Sequence, residues 1–334
     1  MANQTIKIIN SVDKQKDKYN ILTFDTHERY QSQLSKTGHN FFSFRYENCK
    51  VWDQSYADFP ENYYTLPKNS LISGLDIDFI LSQSKFGQFQ VASQIQQVLG
   101  VPILSLEHTL PIPSWPKEQL DLLKSMVGQE NVFISEYSVD KWGMSCSPTV
   151  IHHSVDTEKF SPKETEKTTD VLSVVNEFIN RDYCCNYNGW QRIVAKLQNA
   201  VIDVVGKDSE QIPNVVGGTA KDISDLVSRY NGCKVFLNTS TISPVPTSLL
   251  EAMACGCAVV TTATCMIPEI IEQGQNGFMS NDENELAEYV QRLLDDPNLA
   301  KEMGDSARQT ILEKFSEEKF INNWNTTFDK VYGV

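Results

Sequence analysis

Short apolar runs alternate along the chain with longer stretches whose apolar positions recur every three to four residues, and this alternation occurs twice. In the first half, residues 20–24 form a β run, residues 28–37 have helical character and stop at Gly38, and residues 40–44 are β again. Residues 78–82 then read as a buried strand, 88–99 as a helix ending at Gly100, 101–106 as a strand and 131–135 as another. Glycine suits both helix ends because it tolerates the left-handed backbone that closes a helix. Past Lys141 the character changes. Residues 150–162 (VIHHSVDTEKFSP) are polar and turn-rich, the charged run 163–170 follows, and the interdomain linker is placed here. The alternation then restarts, with strands over 171–175, 200–205, 233–238 and 258–262 and helices over 190–199, 223–230, 247–254 and 283–295. Two further helical patterns fill residues 297–331 without a strand, and no repeat of solenoid length is visible.

Strand and helix in turn imply a parallel sheet covered by helices on both faces. The chain is therefore predicted to be α/β, with two doubly wound, Rossmann-like parallel-sheet domains over residues 1–150 and 151–312. A final helix within 313–334 is predicted to pack back toward the first domain. The length of 334 residues is ample for two domains of ordinary size. Hydrophobic residues at 40% and charged residues at 22% are values of a folded globular protein and exclude a disordered chain.

Other function classes narrow quickly. Apolar stretches such as 252–260 are too short to cross a bilayer, and the first ten residues, MANQTIKIIN, lack a basic segment followed by an apolar core. No membrane insertion is expected, and the eight scattered cysteines suit a reducing cytoplasm better than a disulfide scaffold. With 29 lysines and arginines against 43 aspartates and glutamates, the net charge of −14 disfavours a nucleic-acid partner. No set of cysteines and histidines has the spacing of a zinc site: Cys184 and Cys185 are adjacent, and Cys255 and Cys257 lie in an apolar turn.

The segment 240–260, STISPVPTSLLEAMACGCAVV, carries the most informative spacing. A strand ends near Asn238, a turn with prolines follows, and Thr247 or Ser248 is expected to cap a helix whose first turn exposes backbone N–H groups. Such a helix start at the carboxyl edge of a parallel sheet suits a phosphate or diphosphate. Glu251 lies one turn inside. It either accepts hydrogen bonds from sugar hydroxyls or closes a capping box on the residue before the helix.

The run LEAMACGCAVV (250–260), with IPEIIEQGQNGF (267–278), IHHSVDTEKFSP (151–162), VIDVVGKDS (201–209) and NVVGGT (214–219), resembles family 4 of the retaining nucleotide-sugar glycosyltransferases, also called group 1. The resemblance covers about 180 C-terminal residues in the family's order and implies the GT-B fold. It implies a hexosyl or pentosyl transferase of the EC 2.4 type, independent of metal and of any cofactor beyond a nucleotide-diphosphate sugar of the UDP or GDP type. In that family two glutamates with seven residues between them bracket the phosphate turn. Glu251 matches the second, which binds the ribose, whereas Ser243 stands where the first contacts the donor sugar. The donor-binding set implied is Ser243, Pro246, Thr247, Ser248, Gly206, Lys207 and Val216. The family also places an arginine and a lysine near the first strand of its second domain to neutralise the leaving diphosphate. The usual Gly-Arg pair is missing from residues 175–190, and Arg181 is the best candidate there, with Arg192 or Lys207 as helpers; its alternative is an ion pair with Asp182 or Glu177.

The first half resembles the family more loosely. Residues 105–111 (SLEHTLP) look like the strand that ends in a histidine beside sugar and acceptor, which points to His108. Residues 24–30 (FDTHERY) replace a glycine-rich loop, so His27, Glu28 and Arg29 are expected to reach the acceptor by side chain, unless Thr26 caps the helix and the rest face solvent. The expected catalytic residues are thus His108, Arg181 and Glu251, the acceptor a glycan, lipid or other hydroxyl compound, and the stereochemistry retaining. The alternatives are a phage-type transferase acting on modified bases in DNA and a GT-B protein that binds nucleotide or glycan without turnover.

Overall fold

The computed structural model describes residues 18–54, 56–68, 70, 72–112, 114–144 and 147–333. The chain divides into two compact units, Met1–His152 with Glu318–Val334, and His153–Glu317.

The first unit holds strands β1 (Asn20–Thr23), β2 (Asn40–Ser43), β3 (Tyr63–Thr65), β4 (Phe79–Ser82), β5 (Ile103–Glu107), β6 (Glu130–Phe133) and β7 (Thr149–Val150). They form one parallel sheet in the order β3-β2-β1-β4-β5-β6-β7. Helices α1 (Glu28–Ser35), α2 (Gln88–Leu99), α3 (Lys117–Ser125) and α4 (Glu136–Trp142) supply four of the crossovers, while the β2–β3 and β3–β4 connections carry no α-helix among the described residues. Every residue of β1, β4, β5 and β6 is buried, as expected of strands covered on both faces. Leu22, Phe42, Ile80, Phe89, Ile95, Phe133 and Trp142 belong to one apolar core.

The second unit holds β8 (Thr169–Val174), α5 (Asp182–Cys185), α6 (Tyr187–Val194), β9 (Ile202–Val205), α7 (Ile223–Gly232), β10 (Cys233–Asn238), α8 (Thr247–Ala254), β11 (Ala258–Thr261), α9 (Ile267–Ile270), β12 (Phe278–Met279), α10 (Glu283–Asp295) and α11 (Pro297–Lys314). Its parallel sheet runs β12-β11-β10-β8-β9. Val171, Trp190, Val204, Val235, Val260, Val290 and Leu293 lie in its core. Within that core the Trp190 indole donates to Ser173 Oγ at 3.0 Å, and Ser173 donates to the Leu237 carbonyl at 2.7 Å, fastening α6 to the two central strands.

The fold is that of two doubly wound α/β units, and the differences from the sequence expectation are local. The helix expected over 190–199 begins earlier, as α6, because Asn186 adopts a left-handed backbone that ends α5, while its side-chain oxygen accepts the Gly189 N–H at 3.2 Å and starts the next helix. The expected linker has no helix or strand between residues 151 and 168, but it is not loose. Ile151, Val155 and Phe160 are buried, the Val155 N–H donates to the Phe315 carbonyl at 3.0 Å, and Arg308 donates to the carbonyls of Ala254 and Phe160. The last helix, α12 (Glu317–Tyr332), lays Phe320, Trp324 and Phe328 against the first unit. There the Trp324 indole donates to the Tyr30 hydroxyl at 3.1 Å, and Phe328 meets Phe79 with ring centroids 5.3 Å apart.

Candidate active site

In each sheet the chain leaves the middle in both directions, so each has a switch point where successive crossovers diverge and a crevice opens beyond the carboxyl ends of the strands. In the second unit that point lies between β8 and β10. The segment after β8 carries Glu177, Arg181 and α5, and the segment after β10 carries Ser243, Pro246 and the start of α8. The two are tied together by backbone. Thr241 and Ile242 donate their N–H groups to the Cys184 carbonyl at 2.8 and 3.1 Å, and the Thr239 hydroxyl donates to the Cys185 carbonyl at 3.0 Å. Arg181 and Ser243, 62 positions apart in the sequence, thus flank one crevice.

The residue preceding α8 is Pro246, with an extended backbone and no side-chain cap; Thr247 is the first helical residue. The expected cap at Thr247 or Ser248 is therefore corrected by one turn position. Proline's ring fixes φ in the range needed to enter a helix, so it takes this place and leaves the hydroxyls beyond it. Leu249 and Leu250 donate to the Pro246 carbonyl, whereas the N–H groups of Thr247 and Ser248 meet no acceptor among the described residues. A buried Pro246 precedes these two donors at the positive end of an eight-residue helix.

Glu251, on the next turn of α8, is buried, and its Oε2 accepts the Tyr230 hydroxyl of α7 at 2.9 Å. The capping-box alternative fails for a covalent reason, since Pro246 has no N–H to donate to the carboxylate. Burial and the adjacent Glu251 push the Tyr230 hydroxyl well above the usual tyrosine range, so it stays a donor. Tyr230 escaped the sequence reading because it occupies an ordinary apolar position of a helical pattern.

Arg181 precedes α5, with its side chain toward the Cys184 thiol. Both acidic residues considered as its partners are engaged elsewhere. Asp182 accepts two hydrogen bonds from Asn188, each at 2.8 Å, and Glu177 pairs with Lys207 at 2.6 Å. Among the described residues no carboxylate lies within ion-pair distance of Arg181. Burial pushes the Cys185 thiol up to about 12, against the pull of Arg181, so the neighbouring sulfur is a neutral thiol. Arg192 is held bidentate by Glu283, with both contacts at 2.7 Å, and so is committed to α10 rather than to the crevice.

Gly206 ends β9 with φ +151°, and a Cβ there would come within 2.1 Å of the Val175 carbonyl oxygen. Its glycine is required by the close approach of two strand ends, a structural reason independent of any ligand. Lys207 follows, with its N–H donating to the Asn176 side chain at 2.9 Å. Val216 sits elsewhere: its N–H donates to the carbonyl of Ile202, the first residue of β9, so it flanks the amino end of that strand. The structure thus gathers Arg181, Lys207, Ser243, Pro246, Thr247, Ser248 and Gly206 at the carboxyl edge and leaves Val216 away from it.

In the first unit the switch point lies between β1 and β4. His27 and His108, which follow β1 and β5, meet with ring centroids 4.6 Å apart, and Tyr30 meets His108 edge-on at the same distance. Desolvation and the Lys50 cation lower the His27 pKa, so its ring is neutral near pH 7. Glu28 is buried and structural in its contacts: Oε2 pairs with Lys50 at 2.6 Å and Oε1 accepts the Asp53 N–H at 3.1 Å. Arg29 is exposed on α1. Thr26 does not cap that helix. His27 precedes it without a side-chain cap, while Thr26 donates to the Phe24 carbonyl and accepts from Gln88. Lys50, missed from the sequence, gave no signal because its partner lies 22 residues away in an irregular loop.

Among the described residues no group of three or more histidine, cysteine, aspartate or glutamate side chains is placed to hold a metal ion, and no helix is long and apolar enough to cross a membrane.

Residues 213–310, from before α7 to within α11, match the family model of glycosyl transferases group 1. The protein carries a group 1 glycosyltransferase domain. N-acetyl-alpha-D-glucosaminyl L-malate synthase of Bacillus anthracis is 37% identical over 82 residues, which is 24% of this chain and only 22% of that relative. Alpha-maltose-1-phosphate synthase of Mycolicibacterium smegmatis is 26% identical over 270 residues, 65% of this chain and 70% of the relative. Anabaena HepE in complex with UDP-glucose shares the architecture, with a TM-score of 0.76 and 16% identity over 93% of this chain and 99% of that one. The fold is GT-B.

Proposed function

We propose that this protein transfers a glycosyl group from a UDP-type nucleotide sugar to a hydroxyl acceptor, with retention of configuration and without a metal ion. The observation that carries the reading is the pair of N–H groups at Thr247 and Ser248 that meet no acceptor among the described residues, at the same sheet edge as Arg181, which has no carboxylate within ion-pair distance among those residues. A leaving diphosphate needs positive potential at its phosphoryl oxygens. A helix start plus a guanidinium supplies it from fixed groups that need no reorganisation. Glu251, gripped by Tyr230, accepts from the ribose hydroxyls, while Lys207 is paired with Glu177 and adds no net charge at that edge. A structural neighbour crystallised with UDP-glucose supports the uridine nucleotide.

In the reaction the bond from the anomeric carbon to the diphosphate oxygen breaks, and the acceptor oxygen bonds to that carbon. The acceptor proton leaves with the diphosphate. No side chain is assigned as nucleophile. His108 lines the acceptor side with His27, and holding the acceptor in line with the leaving group is the other main contribution to rate.

The test is incubation of the purified chain with UDP-, GDP- and ADP-sugars and a panel of hydroxyl acceptors, with the product anomer read by NMR. Consumption of a UDP-sugar with an axial product linkage from an axial donor is expected. Arg181→Gln should lower kcat by about 10²–10³-fold at an unchanged melting temperature. Inverted product removes the retaining assignment, and full activity in Arg181→Gln removes the diphosphate role.

A further inference from the structure

Two loops at the carboxyl edge of the first sheet present aromatic rings to solvent. Phe86, two residues into the turn before α2, is 39% exposed. Its ring centroid lies 5.2 Å from that of Trp115, at 66°, and Trp115 itself leans on the apolar core, so one ring is seated and carries the other. Ile112, which is 42% exposed, accepts the Trp115 N–H on its carbonyl at 3.0 Å. An exposed phenylalanine on a short turn is unfavourable in isolation, and here the start of each loop is held from below. The buried Glu107 accepts the Lys85 N–H on Oε2 at 3.1 Å and both the N–H and the hydroxyl of Thr109 on Oε1, at 2.8 and 2.7 Å. One carboxylate therefore sets the turn that carries Phe86 and the turn that carries His108.

The loops that carry the rings are close to neutral, since the exposed Lys117 and Glu118 that follow Pro116 offset one another. Residues 108–116 (HTLPIPSWP) contain no acidic or basic side chain other than His108. The one cation of residues 82–88, Lys85, is turned inward, with its ammonium on the Met126 carbonyl and 5.7 Å from the Trp142 ring. An anionic lipid surface would call for exposed lysines or arginines around apolar side chains. A neutral sugar ring offers an apolar C–H face to an aromatic plane and hydroxyls to the polar groups beside it.

We propose that Phe86 and Trp115 form the stacking platform for a sugar residue of a neutral glycan acceptor, next to His108. This rests on the transferase reading given above and names its acceptor class. The full chain, with no donor present, is tested by saturation-transfer NMR against maltotriose, cellotriose, mannotriose and triacetylchitotriose, and by sedimentation with phosphatidylglycerol vesicles. At least one trisaccharide should receive transfer. Its affinity should fall by about tenfold or more in Phe86→Ala and be kept in Phe86→Tyr, with the melting temperature unchanged. Transfer to none of the four, equal affinity in Phe86→Ala, or vesicle binding that depends on Phe86 while the sugars are indifferent to it overturns the proposal. Calorimetry with UDP on the same samples separates the failures: Phe86→Ala should bind UDP as the parent does, and loss of UDP binding in the parent strikes the donor reading instead.

Discussion

A buried carboxylate keeps its direction when a fixed donor grips one of its oxygens, and the buried Tyr230 hydroxyl grips Glu251 in this way. Tyr230→Phe keeps the ring and deletes the donor. Leaving Glu251 one bond short should cost about 1–3 kcal/mol in urea denaturation, and a change below about 0.5 kcal/mol would show that the bond does not hold the carboxylate. A second residue-scale effect concerns His39. Its Nδ1 accepts the Tyr19 N–H at 3.1 Å, which only the deprotonated nitrogen can do, and desolvation lowers its pKa from 6.5. A histidine depressed in the folded state takes up its proton more readily when unfolded. Its contribution is therefore complete above about pH 6.5 and is lost as the pH falls through the lower folded value. The melting temperature should drop less between pH 7 and pH 5 in His39→Gln than in the parent; an equal drop contradicts the assignment.

At the scale of elements, α12 is the clearest case of stability placed far from the start of the chain. Trp324 is fully buried beside Tyr30, Phe320 and Phe328 in the first unit. Trp324→Ala should cost about 3–5 kcal/mol, read by denaturation of the intact chain, and a loss under about 1 kcal/mol would mean that the helix lies on the surface rather than in the core. The pattern of apolar residues disclosed the long central strands because strands buried on both faces are continuous apolar runs. It missed β3, β7 and β12, which have two or three residues each, too few to show a period. It missed α3 for a different reason. Only Leu123 of its nine residues is buried, so its sequence, KEQLDLLKS, presents little apolar stripe. Of the site, the helix start at Thr247 was legible because proline, hydroxyl residues and an apolar run follow in order. The meeting of His27 with His108 was not, since it depends on β1 and β5 flanking β4, which no local pattern encodes.

Across the whole molecule the charge is uneven. The first unit has 15 lysines and arginines against 18 aspartates and glutamates, and the second has 14 against 25. A nucleotide diphosphate is thus assigned to the more acidic unit, where long-range potential opposes it and only local groups favour it. In the proposed donor site between β8 and β10, Arg181 and the N–H groups of Thr247 and Ser248 must outweigh that background at short range. Screening by salt weakens distant repulsion more than short contacts, so nucleotide binding here should persist at physiological ionic strength. The most direct measurement is calorimetric titration of the purified chain with UDP, GDP and ADP at about 0.15 M salt, repeated on Arg181→Gln. Saturable binding of UDP in preference to the other two is expected, weakened at least tenfold in the variant by loss of one charge-assisted contact. Binding of none of the three, or UDP affinity unchanged in Arg181→Gln, would contradict the proposed donor site.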